Sequence, residues 1–318
     1  MSVACSTGVM AHNEERNIGR LLAALVSQRT KKVVLSEILI VASGCQDNTE
    51  SIVRDWAKRD PRIQLLVQAR REGKASAVNA FLRQAREKIV VLCSADLAPE
   101  PDAIENLLGP FTDDEVGITT ARPSPLNPPE TFMGFAAQML WGLHHELNQT
   151  SFKAGELIAF RKIFERIPYR TWVDEASIEP VIRGQGYRAV YVPSAVVQNQ
   201  GPETVKDFLS QRRRIYAGHL SVRDTLGYRV STLSGLKILG LVLRQLDWRP
   251  RPFFCTWAVA ALEAYGRFLG WRDNKKQRSH TIWEIAQTTK ELEPGLSATG
   301  AYPAWARRPT TDLRREPE

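Results

Sequence analysis

Short runs of β-branched and aliphatic residues alternate with helical patterns through the first two thirds of the chain. That order predicts an α/β domain built on a mostly parallel sheet. Strands are expected at 3–11, 37–42, 63–68, 89–94, 116–121 and 189–197. Between them, Ile18, Leu21, Leu22 and Leu25 recur at helical spacing after Asn13-Glu14, and 75–85 does the same after Glu72-Gly73. The Pro-rich stretch 122–129 breaks the alternation and is expected to be a loop.

From about residue 232 the pattern changes to two apolar helical stretches separated by Asp247-Trp248-Arg249-Pro250-Arg251-Pro252. Lys237 and Arg244 interrupt the first stretch, and the second has only eleven uncharged residues, 252–262, before Glu263 and Arg267. A spanning helix needs ~20 predominantly apolar residues, so no span is expected. Two placements remain. The helices lie in a membrane interface, with basic side chains snorkelling and aromatic ones buried, or they form a hairpin packed on the α/β core.

Composition narrows the class. With 318 residues, 43% hydrophobic and 25% charged, the chain is that of an ordinary globular protein. Cys5, Cys45, Cys93 and Cys255 are too scattered for a disulfide framework or a zinc site, which fits a reducing compartment. The first residues lack the zones of a signal peptide, so export by that route is not expected. The net charge of +8 is unevenly placed: of 43 basic and 35 acidic side chains, 20 and 12 follow residue 200, leaving 23 of each before it. A basic back suits an anionic surface or a phosphorylated substrate. Because its arginines interleave with long apolar stretches, no nucleic-acid partner is expected.

Candidate chemistry sits at strand ends, where open α/β sheets bind ligands. The first strand runs into Ala11-His12-Asn13-Glu14, and the second into Ala42-Ser43-Gly44 followed by Asp47-Asn48-Thr49. Each alone would serve as turn and cap. Gly73-Lys74 opens a helix that carries Asn79, and a lysine at a helix N-terminus can meet a phosphate. The strand ending Ser94-Ala95-Asp96 presents an acid able to hold a divalent ion against a diphosphate. His144-His145 could line an acceptor cleft, although histidines on such an aromatic helix are more often packed. Gly184-Gln185-Gly186 fits a dinucleotide fingerprint only in the wrong context, after a helix and before a strand.

In this order, the blocks resemble those of the family-2 glycosyltransferases, inverting enzymes with the GT-A nucleotide-sugar fold. The resemblance continues through Gly155-Glu156 to Arg161, Asp174-Glu175 followed by Gly186-Tyr187-Arg188, and Gln211-Arg212-Arg213-Arg214-Ile215, covering roughly residues 3–218. It implies Glu175, beside Asp174, as catalytic base. Ala11, Asn13, Glu14, Ser43, Gly44, Lys74, Asn79, Ala95, Asp96, Gln211, Arg213 and Arg214 then belong to the donor side, and Gly155 and Glu156 to the acceptor side. The sequence departs from the family pattern where Ala42 and Ser43 replace two acids and where Ser94 replaces the first acid of Asp-x-Asp, leaving Asp96 to reach Mg²⁺ or Mn²⁺. The acid pair is reversed, and Ile215 replaces a tryptophan.

The resemblance therefore implies transfer of a sugar from a nucleoside diphosphate sugar to a lipid-linked or glycan acceptor. With the helical pattern after 232 and the Pro-, Gly-, Thr- and Arg-rich end, the chain is expected to divide into a catalytic domain at 1–228, an interfacial helical region at 229–293 and a loose tail at 294–318. The membrane contact is expected through 232–272, at the cytoplasmic face of the cell membrane as a peripheral protein, with a cytoplasmic location as the alternative. His280, Trp283 and Thr288-Thr289-Lys290 resemble segments of membrane-associated members. Two other readings stay open: a catalytically impaired, membrane-associated partner of the same fold, and a sugar-nucleotide pyrophosphorylase.

Overall fold

The computed structural model describes residues 2–168 and 174–276. The segments around His280 and Thr288, and the tail at 294–318, lie outside the described residues. The chain forms β1 (Val3–Ala11), α1 (Ile18–Val26), β2 (Val33–Ser43), α2 (Thr49–Ala57), β3 (Ile63–Gln68), α3 (Lys74–Gln84), β4 (Ile89–Ser94) and β5 (Ala98–Pro99). It continues with α4 (Ala103–Leu108), β6 (Val116–Pro125), α5 (Phe132–Thr150), β7 (Leu157–Arg161), α6 (Asp174–Gly184) and β8 (Arg188–Asn199). Three helices follow: α7 (Val205–Leu226), α8 (Gly235–Arg244) and α9 (Pro250–Lys275).

One sheet carries all eight strands in the order β3-β2-β1-β4-β7-β6-β8-β5. β1, β2, β3 and β4 pair in parallel, as do β6 and β8, while β7 lies antiparallel to both β4 and β6. The near-continuous aliphatic runs of β2 and β4 are buried because helices cover both sheet faces. All four apolar positions noted in α1, Ile18, Leu21, Leu22 and Leu25, are fully buried. Gly8 lets Phe81 of α3 rest on β1, since a Cβ there would stand 2.6 Å from the ring.

The expected loop at 122–129 is corrected in its first half. β6 runs on through Pro123 and Pro125, paired with Val197 and Asn199 of β8 after a register shift at Ala121/Arg122. Among the described residues β7 pairs with β6 only at Ile118, Thr119 and Thr120, so beyond them the missing proline N–H groups break no β6–β7 ladder. β7 itself was not foreseen, because its strand pattern is only five residues long.

The C-terminal helices behave differently from each other. α9 packs along α7 and α5, burying Val259 with Phe208, Met133 and Ala136. Gly266 and Gly270 permit the approach to α7: a Cβ on Gly270 would meet the Arg213 carbonyl oxygen at 2.5 Å. Glu263 binds Arg212 of α7 at 2.6 Å and Arg267 of its own helix at 2.8 Å. α8 buries only Val242 and leaves Leu236, Leu239 and Leu243 exposed, as are Trp248, Phe254 and Trp257 beyond it. Among the described residues no helix is long and apolar enough to cross a membrane.

Candidate active site

The C-terminal ends of β1 and β2 are stitched to each other by their polar turns. His12 Nδ1 lies 2.7 Å from the Ser43 carbonyl oxygen, and the Gln46 N–H donates to Asn13 Oδ1 at 2.8 Å. Asn13 reaches that position with φ 53°, which asparagine tolerates better than most residues. The Glu14 N–H donates to Thr49 Oγ1 at 2.8 Å, and Asp47 Oδ2 accepts from the Glu15 N–H at 3.0 Å. Asp47 is held below the usual carboxylate range by bonds from Thr49 and from the Glu15 and Thr49 backbones, which outweigh its burial. Gly44, at φ 60°, completes the turn, because a Cβ there would stand 2.5 Å from the Arg71 nitrogen. Ala11, Ser43 and Ala95 are buried, so what they can present to a ligand is backbone.

A polar relay leads from this rim towards Asp96. Asn17 Nδ2 donates to Glu14 Oε2 at 3.0 Å, and Arg20 Nη2 donates to Asn17 Oδ1 at 3.0 Å. Burial lowers the Arg20 guanidinium, and the charge of Asp96 acts against that lowering. Asn17 and Arg20 escaped the sequence reading, although their spacing of three on the polar side of α1 was a usable signal.

Four elements converge beyond Asp96. Lys74, at the start of α3, places Nζ 2.7 Å from Glu175 Oε1 in the first turn of α6. Glu156, just before β7, is pushed up to about 7 by burial and by the charges of Asp96 and Glu175, against the pull of Lys74 and a bond from Asn199. The Cys93 thiol at the end of β4 is raised by burial and by the same Asp96 and Glu156. Gly155 is fixed by its N–H to Thr120 Oγ1 at 2.9 Å, which sets where Glu156 stands.

A second group of titratable side chains surrounds Lys153, which no motif marks. Burial and Arg212 bring Lys153 down to about 8 despite Glu175, Glu179 and Glu156. Burial and the same two cations hold His144 and His219 well below the usual imidazole value. Glu179, raised by burial, accepts from the Tyr228 hydroxyl. His144 is packed at 7% exposure with Asn148 beside it, and His145 Nδ1 lies 2.6 Å from the Tyr191 hydroxyl.

Several of the expected donor-side residues hold protein partners. Asn79, grouped above with the donor side, is fully buried, and its amide clamps both the N–H (2.7 Å) and the carbonyl oxygen (3.0 Å) of Ile167. Arg213 is bound by the buried Asp273 of α9 at two points, one of them 2.7 Å. Gln211 and Arg214 are partly buried on α7. Asp174 begins α6.

The sequence profile of glycosyl transferase family 2 matches residues 6–178, more than half the chain. The chain belongs to glycosyl transferase family 2. Among family relatives, the probable glycosyltransferase YdaM of Bacillus subtilis is 26% identical over 66% of this chain and 54% of its own length. The dolichyl-phosphate beta-glucosyltransferase ALG5C of Trichomonas vaginalis is 33% identical over 31% of each chain. This chain thus spans about half or less of the curated relatives it matches.

Among solved structures, the mannosyltransferase PcManGT of Pyrobaculum calidifontis, in complex with GDP-Man and Mn²⁺, superposes with a TM-score of 0.53 at 24% identity, covering 84% of this chain and 73% of that one. Glucosyl-3-phosphoglycerate synthase of Mycobacterium tuberculosis gives 0.50 at 17% identity, over 69% and 78%. The fold is the GT-A glycosyltransferase fold, as the family resemblance implied.

Proposed function

We propose that this chain is an inverting glycosyltransferase that moves a sugar from a nucleoside diphosphate donor to a lipid-linked or membrane-proximal acceptor, assisted by Mg²⁺ or Mn²⁺. The observation that carries the reading is the meeting of Asp96, Lys74, Glu156 and Glu175 from four elements at one sheet end. Glu175 takes the proton of the acceptor hydroxyl as the new oxygen–carbon bond forms at the anomeric carbon. The bond to the diphosphate breaks on the opposite face, so the configuration inverts. Asn13, Glu14 and the Gly44 turn frame the nucleotide. Arg214 and Lys74 supply positive charge near the leaving group, Lys74 being loosened from Glu175 once that carboxylate is protonated.

The donor set suits a metal of this kind. Among the described residues no group of three His, Cys, Asp or Glu could hold an ion. Asp96, at the strand end, would hold the ion in the manner of Mg²⁺-type sites, which use one or two carboxylates with substrate phosphates and water. When bound, the ion neutralises charge developing on the departing diphosphate.

The acceptor and location rest on two supports. The ALG5C relative bears the name of a dolichyl-phosphate glucosyltransferase, and Leu236, Leu239, Leu243, Trp248, Phe254 and Trp257 are exposed in the stretch of sequence that also carries Arg249 and Arg251. That surface suits contact with an anionic leaflet on the cytoplasmic face, with 1–228 as catalytic domain and 229–293 as the interfacial region.

The test is release of nucleoside diphosphate from UDP-glucose and GDP-mannose by the whole chain with a polyprenyl-linked sugar acceptor, which offers the hydroxyl that Glu175 would deprotonate, with Mn²⁺ and with chelator. Metal-dependent release with a glycosylated lipid is expected. Nucleotide binding without turnover across donors and acceptors would make the chain the impaired relative instead.

A further inference from the structure

Glu156 and Asn199 form a pair at the centre of the site. Asn199 Nδ2 donates to Glu156 Oε2 at 2.8 Å, and no hydrogen bond among the described residues engages Glu156 Oε1. Asn199 is 4% exposed at the end of β8, where its carbonyl oxygen accepts from the Leu126 N–H at 2.9 Å. Its side-chain Oδ1 is buried without a protein partner. Stability alone gives little reason to keep a buried amide half-satisfied, so the arrangement is best understood through the carboxylate it holds.

Leu157 pairs with Cys93 in the antiparallel β4–β7 ladder, so Glu156 stands beside the Ser94-Ala95-Asp96 end of β4, and the charges of Asp96 and Glu175 both act on it. In the reading above, Asp96 belongs with the diphosphate and Glu175 with the acceptor hydroxyl. Between a leaving group and an attacking hydroxyl stands the anomeric carbon, and with it the ring of the transferred sugar. On that reading Glu156 stands beside the sugar itself and not only beside the acceptor.

We propose that Glu156, held by Asn199, accepts a hydrogen bond from a hydroxyl of the transferred sugar and so determines which donor sugar is used. This rests on the glycosyltransferase reading. A site built to bond a hydroxyl rejects an analogue lacking it, strongly so when the partner is charged. Asn199 is a positioning residue: it acts through Glu156 by fixing one carboxylate oxygen and leaving the other to the sugar.

Calorimetry on the whole chain with Mn²⁺ tests the pair, using UDP, UDP-glucose, GDP, GDP-mannose and donors in which one sugar hydroxyl is replaced by hydrogen. Glu156→Ala should leave the bare nucleotide within about twofold and weaken the preferred sugar nucleotide about tenfold or more. One deoxy donor should lose a similar factor on the unmutated protein and nothing further on Glu156→Ala. Asn199→Ala should show the same deoxy signature with a smaller loss, and Glu156→Gln, which keeps the shape and one acceptor, should fall between. Equal weakening of nucleotide and sugar nucleotide, or a deoxy penalty that persists in Glu156→Ala, overturns the proposal. If none of the four ligands binds the unmutated protein, the glycosyltransferase reading falls first.

Discussion

Lys74 and Glu175, 101 positions apart, meet at 2.7 Å between ammonium and carboxylate. The contact joins the helix that follows β3 to the first turn of α6, and it puts the proposed base beside a cation that can serve the leaving group. Glu175→Gln should therefore preserve nucleotide binding while lowering turnover by ~10² or more, the usual worth of a general base. Steady-state kinetics with nucleotide titration checks this. Unchanged turnover in that variant, with loss in Asp174→Asn, would transfer the role to Asp174.

Asp96 stands just past the end of β4 and acts by charge on Arg20, Cys93 and Glu156. Asp96→Ala should abolish the Mn²⁺-dependent part of nucleoside diphosphate binding and leave the melting transition in place. Equal affinity with and without Mn²⁺ in the unmutated protein would refute the metal role.

Glu263 ties α9 to α7. Burial would raise its carboxyl, yet Arg212 and Arg267 bring it from an ordinary 4.5 down to about 2. A depressed carboxyl contributes stability above its unfolded value and loses that contribution as pH falls through the folded one. Glu263→Gln should cost about 3 kcal/mol at neutral pH. Denaturant titrations should show the deficit shrinking as pH drops from 4.5 towards 2. A deficit independent of pH would mean that the ion pairs contribute nothing beyond packing.

Gly270 gives α9 its close approach to α7, with the Arg213 carbonyl oxygen 2.5 Å and the Ala217 nitrogen 3.0 Å from where a Cβ would sit. Gly270→Leu should destabilise by roughly 2 kcal/mol through overpacking. It should also expose α9 to limited proteolysis. An unaltered melting temperature would show that the helices part without cost.

The apolar side of α8 and the start of α9 should bind anionic vesicles in co-sedimentation. Salt should weaken binding if Arg249 and Arg251 dominate, each basic residue adding on the order of 1 kcal/mol. Replacing Trp248, Phe254 and Trp257 by serine should remove any salt-resistant part. A whole chain that stays in the supernatant at low salt would refute the membrane contact.

Short apolar runs located β1, β3 and β4 to the residue, and the 3.6-residue repeat located the buried stripe of α1, because both are local properties of the sequence. The order of polar blocks after those strands carried the fold and the family, since each block is a turn that also closes a strand. Whether Pro123 and Pro125 continue a strand depended on where β7 stops, which no local pattern contains. Asn79 and Arg213 read as donor-side residues by position; their bonds to the Ile167 backbone and to the buried Asp273 could not be read there, because both partners are distant in the chain. Lys153 and Asn199 had no motif to mark them, and Arg20 only its spacing from Asn17; their importance comes from charges brought near them by folding. Sequence by itself determined the elements, the sheet-end turns and the carboxylates available for chemistry. Only the tertiary structure decided which of those carboxylates share a field, because charge acts through distance and burial rather than through position along the chain.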